Sequence, residues 1–293
     1  MPTPVTCLVD GRYALAECPT WDERTQTLFW ADIRGCAVHA MDWATRELRS
    51  WTFENQVGSF GLTGDGRLVV AVWDRILLFD PQSGDRRFLA EVEADLAQTR
   101  LNDGKVGPDG AFWVGTMDTS RIRQPIGALY RVSGDGAVRK ITGGLHVSNG
   151  LAWAPDGRTL YHADSTPGWI DAWDFDPRTG AVGGRRRVAE MTGDLGRPDG
   201  ATVDVDGNYW SAGVSAGVLN VLSPVGAILR RIALPVPRPT MPCFCGPDLD
   251  DLVVTSLRPD DEAALAAAPH SGSLFHLRPD VRGLPGYRFH AGG

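Results

Sequence analysis

Residues 146–164 read HVSNGLAWAPDGRTLYHAD, in which two apolar runs flank a Pro-Asp-Gly turn. The run Leu151 to Trp153 has the composition of a buried strand, and Thr159 to Tyr161 that of a strand returning beside it. An Asp-Gly pair between two such runs is a strong hairpin signal because glycine tolerates positive φ. The stretch therefore predicts a tight antiparallel hairpin with Asn149 at its entrance.

The same strand, turn and strand pattern occurs six times along the chain. The segments are WDERTQTLFWAD (21–32), LTGDGRLVVAV (62–72), VGPDGAFWVGT (106–116), WAPDGRTLYHAD (153–164), VDVDGNYWSAG (203–213) and FCGPDLDDLVVTS (244–256). A second hairpin pattern follows each segment, the last at 272–289. Successive turn positions are 41, 44, 47, 50 and 42 residues apart, which is the length of one four-stranded blade. The sequence thus predicts an all-β fold, a six-bladed β-propeller with four-stranded antiparallel blades.

The two ends of the chain are predicted to complete the ring. Residues 5–9 fall where the other repeats have their fourth strand, so we expect this segment to pair into the last blade. Such closure removes exposed sheet edges, and it makes residues 1–293 a single domain. Residues 260–268 read DDEAALAAA, which predicts one short helix with an acidic start, inserted in the last blade.

The composition restricts the possible partners. With 293 residues, 43% hydrophobic and 22% charged, the chain resembles ordinary globular proteins, and no apolar run approaches the ~20 residues of a membrane span. The N-terminus lacks a secretory signal pattern, and the net charge of -7 argues against nucleic acid or a membrane as partner. The odd number of cysteines favours reduced thiols and a cytoplasmic location; they are Cys7, Cys18, Cys36, Cys243 and Cys245. We expect a monomer or weak homo-oligomer.

Polar residues recur at one position of the repeat. Seven residues before each turn, at the entrance to the first strand, the chain carries Glu17, Gly58, Asn102, Asn149, Asp199 and Met241. Any single Asn or Asp there is explained by turn capping. First strands line the central channel of a propeller, however, so four oxygen-bearing side chains at equivalent positions are predicted to converge on its axis.

Two carboxylates and two amides on one axis are poorly satisfied without a cation, because burying unpaired charge is costly. Oxygen ligands favour a hard divalent ion such as Ca²⁺, Mg²⁺ or Mn²⁺, and Zn²⁺ and Fe²⁺ also accept carboxylates. We therefore predict one divalent metal ion in the channel, with its identity left open.

Four ordered segments carry a family resemblance over essentially the whole chain. They are AECPTW (16–21), RLNDGKVGPDGAFWVGTMD (100–118), SNGLAWAPDGRTLYHAD (148–164) and GRPDGATVDVDGNYW (196–210). The sequence resembles the gluconolactonase/regucalcin (senescence marker protein) family, which implies a propeller that hydrolyses sugar lactones to aldonic acids with one metal ion. The resemblance implies that Glu17, Asn149 and Asp199 bind the metal, that Asn102 contacts substrate or water, and that Arg100 holds substrate oxygens. The segment PCFCGPDLDDLVVTS (242–256) is similar to bacterial lactonases of sugar-acid catabolism.

Several residues of this site have candidate roles in catalysis and substrate binding. Asp199 is the candidate general base, unless its role as a ligand leaves metal-bound hydroxide to act alone. His146, three residues before Asn149, could bind substrate hydroxyls, although a solvated loop histidine is the simpler interpretation. Where some relatives carry an acidic lid, this chain has DTSRIRQPIG (118–127) with Arg121 and Arg123 added. The substrate preference of those relatives therefore cannot be assigned to this chain. Arginine guanidinium groups offer hydrogen-bond donors to the oxygens of a compact polyol ring, so we expect neutral five- and six-carbon lactones to be preferred over acyl-homoserine lactones.

Two other functional classes fit the same pattern. The metal and propeller could serve a phosphotriesterase-like hydrolase, since the same Lewis acid activates a phosphoester. A non-catalytic propeller could simply hold Ca²⁺. Convergent carboxylates at Glu17 and Asp199 count against a purely binding protein, and no G-x-S-x-G motif indicates a serine hydrolase.

Overall fold

The computed structural model describes residues 4–292 and shows six four-stranded antiparallel sheets arranged as the blades of a propeller. This confirms the predicted fold. Blade 1 contains β2 (Ala16–Asp22), β3 (Thr27–Asp32), β4 (Ala37–Asp42) and β5 (Leu48–Thr52); blade 2 contains β6 (Val57–Leu62), β7 (Leu68–Val72), β8 (Arg75–Phe79) and β9 (Arg86–Glu91); blade 3 contains β10 (Thr99–Val106), β11 (Phe112–Asp118), β12 (Gly127–Val132) and β13 (Val138–Leu145).

The second half of the chain repeats this order. Blade 4 contains β14 (Ser148–Trp153), β15 (Thr159–Asp164), β16 (Trp169–Asp176) and β17 (Ala181–Glu190); blade 5 contains β18 (Pro198–Val203), β19 (Tyr209–Gly213), β20 (Val218–Leu222) and β21 (Ile228–Ala233); blade 6 contains β22 (Pro239–Cys245), β23 (Asp251–Ser256), β24 (Leu274–Leu277) and β1 (Thr6–Val9). β1 pairs antiparallel with β24, Thr6 opposite His276. The predicted domain also includes residues 1–3 and 293, which lie outside the described residues.

The predicted helix forms as α1 (Glu262–Ala267), and Asp261 caps it by accepting a hydrogen bond from the amide of Ala264 at 2.8 Å. A single turn of 3-10 helix, Gly193–Leu195, precedes β18. Within residues 4–292, neither helix has the length or apolar character needed to cross a bilayer.

The hydrophobic core lies between neighbouring blades. Among the described residues, six buried clusters occur, one at each blade junction. Trp113 of blade 3 packs on Trp153 of blade 4 with ring centroids 6.1 Å apart, and Trp210 of blade 5 packs on Phe244 of blade 6 at 5.6 Å. Each blade is therefore stabilised mainly by its two neighbours, which holds the first strands of all six at fixed positions around the channel.

The end of the chain does not form the second hairpin strand expected within 272–289. Residues 278–292, here called the C-terminal strap, cross the base of the propeller instead. Backbone amides of Gly283, Phe289 and His290 donate to carbonyls in blades 6, 2 and 3 at 2.8 to 2.9 Å. Because β1 already fills the outer position of blade 6, the strap covers the base. Between it and the first strands lies a cavity of about 120 Å³.

Phe289 is expected to anchor the strap. Its side chain is 1% exposed and packs among buried residues of blades 2 and 3. Replacing it with alanine should lower the free energy of unfolding by about 3 to 5 kcal/mol, because it removes a buried aromatic ring and leaves a cavity. Urea unfolding monitored by tryptophan fluorescence measures the change. The matched control is Phe88→Ala on β9, where the ring is 56% exposed; an equal loss in both variants would contradict the anchoring role.

Candidate metal and substrate site

Each first strand carries a β-bulge near its entrance. The pairing register of the first and second strands shifts by one residue in all six blades; the shifts lie between Glu17 and Thr20, Val57 and Ser59, Leu101 and Gly104, Asn149 and Ala152, Pro198 and Ala201, and Pro239 and Pro242. A bulge re-aims side chains and is common beside active sites. Here the bulges occur at or next to the six positions that the repeat spacing predicted.

Not every bulge offers a polar side chain. A Cβ added to Gly58 would lie 2.4 Å from the carbonyl oxygen of Leu101, so blade 2 has room only for glycine. Met241 of blade 6 is buried. Cys18 follows the glutamate of blade 1 with a φ of 51°, a left-handed conformation that favours glycine. The polar groups therefore come from blades 1, 3, 4 and 5.

The residues from blades 3 and 4 form a continuous hydrogen-bonded chain. Arg100 donates through Nη1 to Oδ1 of Asn102 at 2.9 Å, and Nδ2 of Asn102 donates to Oδ1 of Asn149 at 3.0 Å. Nδ2 of Asn149 donates to Ser165 Oγ at 2.7 Å, and that hydroxyl donates to the carbonyl of Pro198 in blade 5 at 2.6 Å. The chain fixes the two amides and links three blades at the channel entrance.

The carboxylates of blades 1 and 5 are held close together. Burial, followed by the charges of Asp199 and Asp103, raises the pKa of Glu17 well above its usual value. Burial and the charge of Asp103 likewise raise the pKa of Asp199 to about 8. Each group destabilises the charged form of its neighbours, so this part of the channel favours an added positive charge.

The donor set fits a hard divalent cation. Among residues 4–292, neither Glu17 nor Asp199 has an arginine or lysine nitrogen within 4.0 Å, so no salt bridge occupies these carboxylates. The same range contains no cluster of three His, Cys, Asp or Glu side chains arranged for a metal. The predicted set has only two carboxylates and takes its third oxygen from the amide of Asn149. Oxygen donors of this kind suit Ca²⁺, Mg²⁺ or Mn²⁺.

Burial holds the thiols of Cys18 and Cys243 in their neutral form in the metal-free protein. Burial raises the pKa of Cys18 to about 12 and that of Cys243 to about 11, so both are neutral at physiological pH. Cys18 Sγ instead lies 3.3 Å from both the amide and the carbonyl of Phe60. It ties the bulge of blade 1 to blade 2.

His146 is hydrogen-bonded to Asp164 rather than to the central residues. Its Nδ1 is 3.2 Å from Oδ2 of Asp164, and its backbone amide donates to the same oxygen at 2.8 Å. No hydrogen bond or ion pair joins its side chain to the other predicted site residues within the described range. With Nδ1 engaged, Nε2 is the nitrogen that remains for a substrate hydroxyl.

Two residues of the site were missed from sequence. Asp103 is buried, and its Oδ2 accepts a hydrogen bond from the amide of Leu151 at 3.0 Å. Strand alternation places it on the opposite face from Asn102, but the bulge brings both toward the channel. Ser165 lies in the turn after β15, where nothing in the sequence distinguishes it from any turn serine.

Comparison with known proteins agrees with this architecture. The model of a family described as the SMP-30/gluconolactonase/LRE-like region matches residues 15–258. The chain is 39% identical to a 6-deoxy-6-sulfogluconolactonase of Pseudomonas putida over 94% of its length and 95% of that protein. It is 33% identical to regucalcin of Xenopus laevis over 93% of each chain. A crystal structure of a calcium-binding protein, regucalcin, from Agrobacterium tumefaciens superposes with a TM-score of 0.93 at 30% identity, covering 99% of each chain.

Proposed function

We propose, from the premise that this chain belongs to the SMP-30/gluconolactonase/LRE-like family, that it is a hydrolase that opens a sugar lactone to the corresponding aldonic acid. A relative named as a 6-deoxy-6-sulfogluconolactonase, which matches over 94% of the chain, supports a lactone substrate. The observation that carries the proposal is the pair of carboxylates from half-buried Glu17 and buried Asp199, beside the hydrogen-bonded chain of Arg100, Asn102 and Asn149. The aldonic acid product fits a step of sugar-acid catabolism.

Glu17, Asn149 and Asp199 would hold one divalent metal ion. A relative solved as a calcium-binding protein supports a divalent ion of this type. When bound, the cation would supply a Lewis acid that polarises the carbonyl group of the lactone. Titration of metal-free protein with Ca²⁺, Mg²⁺, Mn²⁺, Zn²⁺ and Fe²⁺ identifies the ion.

Ring opening also needs groups that position the sugar. The guanidinium of Arg100 donates to the carbonyl of Leu101 at 2.7 Å and to Asn102, and three of its five N–H groups remain for substrate oxygens. Burial lowers the pKa of Arg100 to about 10, which leaves it charged at neutral pH. Asn102 is fixed beside it, and we assign His146 Nε2 to an outer hydroxyl of the sugar.

Proton transfer is assigned to Asp199. Hydrolysis of an ester requires that the attacking water lose a proton, and a carboxylate within hydrogen-bond reach can accept it. Asp199 comes from the bulge of blade 5, so its carboxylate would lie at the edge of the proposed metal site, beside the attacking water. The proton then passes to the alkoxide oxygen that leaves as the ring opens, which gives an aldonic acid with a free hydroxyl. At neutral pH the new carboxylic acid releases its proton to solvent and becomes the aldonate.

A substrate panel tests the proposal against its alternatives. Rates of hydrolysis are measured for five- and six-carbon aldonolactones, an acyl-homoserine lactone and a phosphotriester, before and after chelation. We expect aldonolactone hydrolysis that chelation abolishes and metal restores. Turnover of the phosphotriester alone would favour the second hydrolase class, and no turnover of any substrate by metal-loaded protein would favour a binding propeller.

A further inference from the structure

The cavity of about 120 Å³ at the base of the channel lies farther along the first strands than the candidate metal site. In blade 1 its lining begins at Cys18, directly after Glu17, and continues to Trp21. In blade 3 the lining begins at Gly104, and residues 284–287 of the strap close the cavity from below. The cavity therefore adjoins the base rather than the entrance of the channel, and the proposed lactonase mechanism does not use it.

The walls of this cavity are largely apolar. Five aromatic residues from blades 1, 2, 4 and 6 and from the strap line it: Trp21, Phe60, Trp153, Phe244 and Tyr287. An apolar cavity of about 150 Å³ accommodates benzene, so this one has room for about six to eight non-hydrogen atoms. Sugar hydroxyls would lose their hydrogen bonds to water against such walls. A ligand with an apolar body fits the cavity better than a polyol does.

Lys105 of β10 brings a positive charge to this cavity. Among the lining residues within the described range, it is the only one with a charged side chain. Its Nζ crosses from blade 3 to blade 5 and donates to the carbonyl oxygen of Ala201 at 2.7 Å. No carboxylate oxygen of residues 4–292 lies within 4.0 Å of this nitrogen. Because an ammonium group has three N–H donors, two of them remain for a ligand.

The charge of Lys105 also acts on blade 6. Burial raises the pKa of the Cys243 thiol, and the charge of Lys105 opposes that shift. The same charge opposes the effect of burial on the pKa of Asp103, but the two side chains form no ion pair within residues 4–292. An ammonium group beside apolar walls without a paired carboxylate costs free energy, which a bound anion would offset.

The strap provides a path into the cavity. Its backbone is hydrogen-bonded to the blades at Gly283 and at Phe289, and between these two residues it has no backbone-to-backbone hydrogen bond within residues 4–292. Pro285, Gly286 and Tyr287 are exposed there. A segment with few hydrogen bonds opens at a lower free-energy cost than a paired strand. A small ligand can therefore enter from the base without passing the metal site.

We propose that this cavity binds a small organic monocarboxylate with an apolar body, whose carboxylate accepts hydrogen bonds from Lys105 Nζ and whose body contacts the aromatic walls. Hydrogen bonds between two ionised groups are stronger than those between neutral groups, and the apolar body is removed from water as it enters. The inference goes beyond the proposed lactonase function and does not depend on it.

The test compares carboxylates with neutral amides of nearly the same shape. Calorimetric titrations are made with pentanoate and benzoate and with pentanamide and benzamide. We expect at least one of the two carboxylates to bind saturably and at least tenfold more tightly than its amide. If no compound bound, water alone would occupy the cavity, and equal binding of carboxylates and amides would remove the role of Lys105. Either result would overturn the proposal.

A lysine variant tests the charge. Lys105→Met keeps an extended side chain but loses the ammonium group, so it should weaken carboxylate binding at least tenfold, equivalent to about 1.4 kcal/mol, and leave amide binding unchanged. Lys140→Met is the matched control, because Lys140 is exposed on β13, the outer strand of blade 3. An equal loss of carboxylate binding in both variants would reduce the effect to overall charge and contradict the site.

A cavity-filling variant locates the ligand independently of that charge. Cys243→Leu adds side-chain volume at the cavity wall and should weaken the binding of carboxylate and amide alike. Cys7→Leu is the matched control, because Cys7 is exposed on β1, and it should bind both as the wild type does. Melting temperatures confirm that each variant is folded. Wild-type binding by folded Cys243→Leu would place the ligand elsewhere and overturn the proposal.

Discussion

Asp199→Asn is expected to lower kcat/KM for the preferred lactone by about 10³-fold while the propeller stays folded. General-base catalysis contributes about 10² to 10⁴ in rate, and an asparagine amide cannot accept the proton. The same change removes one of the two carboxylates proposed to hold the metal. Initial rates at saturating metal, together with metal content by elemental analysis, measure the two effects separately.

The fold should tolerate this substitution because asparagine has nearly the same shape as aspartate. Asp199 lies in the channel beside Glu17 and Asp103, so the change removes one buried carboxylate from a group of three, and the cost of burying unpaired charge falls. We therefore expect the melting temperature of metal-free protein to be unchanged or higher. A large decrease would show a structural role instead.

Asp194→Asn supplies the control for the loss of a carboxylate. Asp194 precedes the same strand, but its side chain is 94% exposed, and within residues 4–292 its one ion pair is a 3.9 Å contact with Arg231. This variant should keep wild-type kcat/KM and metal content. If Asp199→Asn also kept both, neither the base nor the ligand assignment would stand.

The fold was predictable because the repeat carries redundant signals. Six Asp-Gly or related turns at blade spacing indicate hairpins, and no single turn decides the result. The last repeat shows where this reasoning fails. A hairpin is predicted within residues 272–289, but β1 already pairs with β24, so residues 278–292 form the strap across the base instead. Whether a segment joins a sheet depends on which edge is free, and composition does not encode that.

The position of the candidate site was predictable in part, because the repeat register aligned Glu17, Asn102, Asn149 and Asp199 at one level of the channel. The place of Asp103 near these residues was not predictable, because strand alternation assigns consecutive residues to opposite faces of the sheet. The bulge between Leu101 and Gly104 breaks that alternation.

Removal of the metal is expected to lower the melting temperature by about 5 °C or more, in addition to stopping catalysis. Glu17, Asn149 and Asp199 belong to blades 1, 4 and 5, so an ion held by all three links distant parts of the chain. A ligand present at a hundredfold excess over its Kd stabilises the folded state by about 2.7 kcal/mol. For a chain of this size, unfolding entropy converts that energy into a shift of this order. Chelated protein titrated with Ca²⁺, Mg²⁺, Mn²⁺, Zn²⁺ and Fe²⁺ should show a saturable rise.

Variants connect this rise to the proposed ligands. Glu17→Gln should reduce the metal-induced shift, because a neutral amide replaces a carboxylate that attracts the cation. Glu47→Gln is the matched control, since Glu47 is an exposed glutamate in the turn between β4 and β5, at the opposite end of the blade. Equal shifts in both variants would place the stabilising ion elsewhere. A melting temperature indifferent to every ion, in protein shown to be metal-free at the start, would mean that the carboxylates of blades 1 and 5 form no cation site, and the metal-dependent mechanism would then lose its physical basis.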